Sequence, residues 1–183
     1  MDELLEFRSL LVIGGARSGK SRYGQKHAER SGKAPVLVAT AQAGDAEMAA
    51  RIAAHRQARG GGWRVVEEPL ALVQTLQREA AADTIVLVDC LTLWLSNLMH
   101  HGQDPEAHGE LLVAAIPKLA GLAIFISNEV GLGIVPDTEL GRRFRDAQGR
   151  LNQGVAMACD AVVLVAAGLP LLLKPAPEKA RKP

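Results

Sequence analysis

Aromatic residues are almost missing from this sequence: three Phe, two Trp and one Tyr make up 3% of its 183 residues. Its core must therefore be built from Leu, Val, Ile and Ala, and no aromatic and basic patch is available for holding nucleic acid. Charge of one sign is also lacking. The formal net charge is +1, so no overall field draws the chain to nucleic acid or to an anionic membrane. Only two cysteines occur, Cys90 and Cys159, both beside apolar runs and without metal or redox spacing. They read as buried thiols in a reducing compartment, not as a disulfide. No apolar run approaches the length of a bilayer span, and the acidic start "MDELLEFRSL" lacks the apolar core of a signal peptide. The expectation is a soluble, cytoplasmic protein with no integral membrane segment and no nucleic-acid partner.

What is present is an ordinary globular balance, 48% hydrophobic and 22% charged, in a length that suits one domain. Short β-rich apolar runs at 10–13, 35–40, 63–68, 84–90, 122–130 and 161–168 alternate with helical patterns near 20–31, 45–59, 69–82, 91–100, 109–119 and 137–158. A seventh run at 169–174 can close a terminal hairpin through Gly168 and Pro170. Strands that are apolar throughout and separated by helices predict a largely parallel sheet covered on both faces, a three-layer α/β architecture. In the last helix Leu140, Phe144, Ala147, Leu151, Val155 and Ala158 step by three or four and mark its apolar face. The domain is expected to span 1–174, with the Pro-rich charged tail 175–183 disordered.

Between the first strand and the first helix stands "GGARSGKS", residues 14–21, which fits G-x-x-x-x-G-K-[ST] at Gly14, Gly19, Lys20 and Ser21. The glycines let successive backbone N–H groups converge on phosphate oxygens, and the following helix adds its positive end. Lys20 would reach the β- and γ-phosphates, and the Ser21 hydroxyl would complete a Mg²⁺ shell. The strand "TIVLVDC" ends near Asp89, where a second metal-holding carboxylate belongs. Many buried strands end in an acid, so Asp89 gains its meaning only beside the loop. The pattern predicts a P-loop nucleotide-binding fold that takes a nucleoside triphosphate with Mg²⁺, without naming the acceptor.

Two further stretches bear on the acceptor. In the helical pattern from Asp45, Arg51, His55 and Arg59 recur every four residues. A neutral imidazole between guanidinium groups could attack phosphorus. The spacing alone favours the plainer reading, that His55 borders the core beside Met48 and Ile52. "SNEVGLGIVP" follows a strand; its Gly131 and Gly133 suit a flexible connection, but its place at a strand's C-terminal end suits the wall of a crevice, with Asn128 and Glu129 as polar contacts. Asn97 has a lesser claim of the same kind. His100, His101 and His108 fall in a loop-like stretch and read as solvated rather than as a metal cluster. The Asn-Lys-x-Asp segment of guanine-reading switches is absent. These residues leave open a kinase of some small molecule with a structural His55, a nucleotide-binding regulator without turnover, or an enzyme that uses His55 covalently.

From about residue 10 to 174 the chain resembles the bifunctional adenosylcobinamide kinase / adenosylcobinamide-phosphate guanylyltransferase family of cobalamin biosynthesis. The resemblance rests on "GGARSGKS", "DAEMAARIAAHR", "VDCLTLWLSNL", "SNEVGLGIVP" and "FRDAQGRLNQGVAMACDAVVLVAAG". It implies two steps: phosphorylation of adenosylcobinamide by ATP or GTP, then transfer of GMP from GTP to adenosylcobinamide phosphate through a covalent GMP on His55. It further implies nucleotide contacts at Gly15, Ala16, Arg17, Ser18, Gly19, Lys20 and Ser21, at Ala39, Thr40 and Ala41, at Arg56, Gln57, Ala58 and Arg59, and at Glu67. Serine is usual where Ala41 stands, and an Asp-Gly pair where Gln57 and Ala58 stand. Asp89 replaces the glutamate of some members. A homotrimer, with corrinoid sites near its subunit boundaries, is also implied.

Overall fold

The structure, a computed structural model, describes residues 7–41 and 62–174. The predicted helix over 45–59, which carries His55, and the tail 175–183 lie outside the described residues.

Six strands run parallel: β1 (Ser9–Gly14), β2 (Ala34–Ala39), β3 (Arg64–Glu67), β4 (Thr84–Asp89), β5 (Leu122–Asn128) and β6 (Ala161–Ala166). A seventh, β7 (Leu169–Lys174), pairs antiparallel with β6. The order across the sheet is β3-β2-β4-β5-β1-β6-β7. Five α-helices are described: α1 (Lys20–Arg30), α2 (Leu72–Glu79), α3 (Leu91–His100), α4 (Pro105–Ala115) and α5 (Glu139–Ala158).

Alternation along the strands divides the core. Leu10, Val12, Leu37, Ile85, Leu87, Ile124 and Ile126 lie with Ala28 of α1 on one face. Leu11, Val36, Val38, Val86, Val88 and Phe125 pack with Leu76, Trp94, Leu95, Leu112, Leu151 and Val155 of the other helices on the opposite face. Both faces of the central strands are therefore dry, which is why their sequences are apolar without alternation. The hairpin at the C-terminal end is formed as expected, with Ala167 (φ 51) and Gly168 (φ 81) as its two-residue turn. Pro170 is tolerated because β7 is an edge strand.

Two expectations need correction. The stretch around His108 is not all loop: Asp104 accepts a hydrogen bond from the Glu106 N–H and Pro105 occupies the first turn, so α4 starts at Pro105 and not near 109. Leu140 does not belong to the buried face of α5, since it is 58% exposed in the first turn. Gln148 and Asn152 are buried there together with Ala147, Leu151 and Val155.

Candidate nucleotide site

β1 ends at Gly14, and the chain turns through left-handed Arg17 (φ 55) and Gly19 (φ 99) into α1. Lys20 is only 8% exposed, and its Nζ donates to the Gly15 carbonyl at 3.0 Å, drawing the loop around its own ammonium group. Gly14 is enclosed: a Cβ there would stand 2.4 Å from the Val165 carbonyl oxygen and 2.7 Å from Ser18 Oγ. The β6–β7 turn backs the loop from the same side, with the Gly168 N–H donating to the Ser18 carbonyl at 2.8 Å. Ser18 Oγ is buried and has no hydrogen-bond partner among the described residues. At Gly15, by contrast, a Cβ would meet nothing within 4 Å. A closed back wall, an open front and an unused buried hydroxyl fit a phosphate group.

Ser21 Oγ donates to Asp89 Oδ1 at 3.4 Å. Ser21 opens α1, which follows β1, whereas Asp89 ends β4, and β5 separates β1 from β4. Gly24 permits the approach: a Cβ on it would stand 2.7 Å from Ile126 Cδ1 and 3.2 Å from Leu87 Cδ1, so α1 can lie low across β5 and β4. A hydroxyl and a carboxylate facing each other are hard oxygen donors of the kind that Mg²⁺ takes. The donor set fits that ion.

The register places the other strand ends in two rows, two residues apart along β5, since Asp89 is level with Ile126. Ala39 is level with both Glu67 and Asp89, and Gly14 is level with Asn128. By alternation Gly14, Ala39, Glu67, Asp89 and Asn128 all share the α1 face of the sheet. Arg64 and Arg78 hydrogen-bond the Glu79 carboxyl and hold it below the usual carboxylate range, which fixes β3 to α2.

Thr40 turns the other way. It is wholly buried; its Oγ1 donates to the Cys90 carbonyl at 2.7 Å and accepts the Cys90 N–H at 2.9 Å. Its N–H donates to the Asp89 carbonyl, and its own carbonyl accepts from Asn97 Nδ2 at 2.8 Å. Thr40 therefore clasps the strand ends together, and Ala39 and Ala41 are the half-exposed positions beside it. Asn97 also donates to the Pro69 carbonyl at 3.1 Å, so it joins the connections after β2 and β3 rather than facing a ligand.

The histidines of the 100–108 stretch are engaged locally. Nδ1 of His100, His101 and His108 lies about one hydrogen bond from the carbonyl four residues earlier, at 3.0, 2.9 and 3.0 Å. Among the described residues no three His, Cys, Asp or Glu side chains gather as a metal site. Burial, with the Asp89 charge adding to it, pushes the Cys90 thiol up to about 11, and burial pushes Cys159 up to about 12. Neither is a nucleophile at neutral pH.

Of the residues singled out in the sequence, the structure brings together 14–21, Ala39, Thr40, Ala41, Glu67 and Asp89. His55, Arg56, Gln57, Ala58 and Arg59 lie outside the described residues. The backing turn at Ala167 and Gly168 is a part that sequence reasoning missed. Its composition identifies a hairpin turn but not what the turn packs against.

The sequence model of the family described as cobinamide kinase / cobinamide phosphate guanyltransferase matches residues 10–173. The chain belongs to this family. It is accordingly a bifunctional transferase of cobalamin biosynthesis with a P-loop nucleotide-binding fold. It is 50% identical over 169 residues to the bifunctional adenosylcobalamin biosynthesis protein CobP of Pseudomonas aeruginosa, covering 91% of this chain and 98% of the relative. Among solved structures it is similar in fold to the flagellar accessory protein FlaH of Methanocaldococcus jannaschii, with TM-score 0.56 and 12% identity over 92% of this chain and 79% of that one. A type III secretion ATPase of pathogenic bacteria is similar too, with TM-score 0.51 and 13% identity over 86% of this chain and 50% of that one. Among the described residues no helix is long and apolar enough to cross a membrane.

Proposed function

We propose that the protein first transfers the γ-phosphoryl group of ATP or GTP to the aminopropanol hydroxyl of adenosylcobinamide, and then attaches GMP to that phosphate through His55. The observation that carries the first step is the grouping of Lys20, Ser21 and Asp89 around one phosphate loop. The backbone of Gly15 to Gly19 and the Lys20 ammonium hold the β- and γ-phosphates in place. The substrate oxygen bonds to the γ-phosphorus as the bond to the β-phosphate oxygen breaks, and the nucleoside diphosphate leaves. Mg²⁺, held by Ser21 and Asp89, would offset charge on the phosphates. Ala39, Ala41 and Glu67 flank the nucleotide, with Thr40 as the clasp beneath them.

In the second step His55 attacks the α-phosphorus of GTP and pyrophosphate departs. The resulting phosphoramidate passes GMP to the phosphate of adenosylcobinamide phosphate, giving adenosylcobinamide-GDP and freeing the histidine. A weak phosphate nucleophile gains from this division because one difficult displacement becomes two easier ones. Arg56 to Arg59 line the nucleotide beside His55. The enzyme works in the cytoplasm as a homotrimer, with the corrinoid near subunit boundaries. What supports the covalent step is membership of the family and the position of His55 in "AARIAAHR".

The test is GTP labelled at the α-phosphorus, incubated with the wild type and with His55→Ala. Acid-labile, alkali-stable label on the wild type alone is expected. No label on either protein, with GTP binding intact, would refute the covalent step and leave the kinase.

A further inference from the structure

Helix α5 carries two buried polar side chains, Gln148 and Asn152, which join Ser127 of β5 in a trio that the nucleotide site does not use. Ser127 and Gln148 are 0% exposed and Asn152 6%. Ser127 Oγ donates to Asn152 Oδ1 at 2.6 Å, and Gln148 Nε2 donates to Ser127 Oγ at 3.0 Å and to Asn152 Oδ1 at 2.9 Å. Gln148 Oε1 is buried with no partner among the described residues. Such a trio is a poor way to stabilise a core, since apolar side chains of similar volume would fill the space without an orphaned acceptor. What the trio adds is a grip on one backbone group: Asn152 Nδ2 donates to the Asn128 carbonyl at 3.1 Å.

Asn128 is the last residue of β5 and is held from the other side as well. Its N–H donates to Thr92 Oγ1, from the first turn of α3, at 2.9 Å. The next residue, Glu129, donates its N–H to the Gly14 carbonyl at 3.0 Å. Side chains from two helices thus pin the residue level with the start of the phosphate loop. β5 lies between β1 and β4, so this point falls between Gly14 and the strand that ends at Asp89. Ile124 and Ile126 face α1, since both stand within reach of a Cβ on Gly24, and alternation puts Asn128 on that face. Asn128 is half-buried, and the bonds from Thr92 and Asn152 engage its backbone and not its carboxamide.

We infer that Asn152 is a positioning residue for phosphoryl transfer: with Thr92 it fixes Asn128, whose carboxamide donates to the phosphoryl group held between the loop and Asp89. The inference rests on the kinase reading above. Asn152 itself touches no substrate. Its effect should fall on the rate of transfer and not on nucleotide affinity, because the loop that binds the phosphates is held by other contacts.

The experiment compares wild type, Asn152→Ala, Asn128→Ala and the double variant. It measures ATP affinity by calorimetry and the rate of γ-phosphoryl transfer to adenosylcobinamide at saturating substrate. For Asn152→Ala the rate should fall about tenfold with affinity changed less than about twofold. In the Asn128→Ala background the same substitution should have no further effect, because the group it positions is already gone. Thr92→Val keeps the side-chain shape, removes the acceptor for the Asn128 N–H, and should give the same split should Asn152→Ala fail to fold. Losses that multiply in the double variant, or rates unchanged in both Asn152→Ala and Thr92→Val, would overturn the inference. A wild-type chain with no transfer at all would overturn the kinase reading and this inference with it.

Discussion

The phosphate loop and the end of β5 are neighbours, joined where Glu129 hydrogen-bonds the Gly14 carbonyl, yet they are held in opposite ways. The loop is held by its own lysine, by backbone and by missing side chains: the Lys20 ammonium bonds a carbonyl five residues earlier, the Gly168 N–H bonds the Ser18 carbonyl, and the space a Cβ of Gly14 would need is filled by Val165 and Ser18. The end of β5 is held by side chains that arrive from α3 and α5, from Thr92 and Asn152. A pocket for phosphate needs many converging N–H groups, which only a short, tightly turned segment supplies. A single residue that must keep one aim is better fixed from several directions by rigid elements. The first arrangement suits binding and the second suits orientation.

Substitutions can break this contrast. The largest structural effect is expected at the two adjacent glycines. Gly14→Ala forces a methyl group against the Val165 backbone and should cost about 1–3 kcal/mol with weaker ATP binding, whereas Gly15→Ala, where a Cβ meets nothing within 4 Å, should stay within about 0.5 kcal/mol of the wild type. Thermal unfolding of the pair, with and without ATP, checks both. Equal losses at the two positions would mean that Gly14 is not backed by β6 at Val165.

A smaller effect sharpens the picture of the ground beneath the site. Cys90 follows Asp89 and is clasped by Thr40, and its thiol is raised from its ordinary 9.0 to about 11 by burial. Cys159, at the end of α5, is raised to about 12. A group whose folded pKa is raised contributes stability fully below its unfolded value and loses it as pH climbs through the folded one. Stability should therefore decline above pH 9, through the window to about 11 and 12. Both thiols should resist alkylation of the folded protein at pH 8 and react on unfolding. Rapid native alkylation at Cys90 would show the strand ends to be open there.

The difference between the two regions also governs what could be read from the sequence. The loop was legible because its requirements are local: glycines, one lysine and one hydroxyl residue within eight positions, after an apolar strand. The parallel sheet was legible because strands dry on both faces are apolar throughout. The start of α4 was missed although "DP" is a helix-start signal, because the three histidines around it read as solvated loop. Gln148 and Asn152 were hidden because an apolar stripe is recognised by its apolar members, and their partner Ser127 lies 21 and 25 residues away. Thr40 posed the same difficulty, since its partner Cys90 is 50 residues distant. Asp89 lay between the two cases, with a visible strand end whose meaning depended on Ser21 being brought to it across β5.

The measurement that tests the division between binding and orientation most directly is ATP affinity, by calorimetry, of Lys20→Ala beside Asn128→Ala. Removing the Lys20 ammonium takes away charged hydrogen bonds to the phosphates and should weaken binding by roughly 10- to 100-fold. Asn128→Ala should bind ATP within about twofold of the wild type while losing transfer rate. Equal weakening in both variants, or unchanged affinity in Lys20→Ala, would contradict the account.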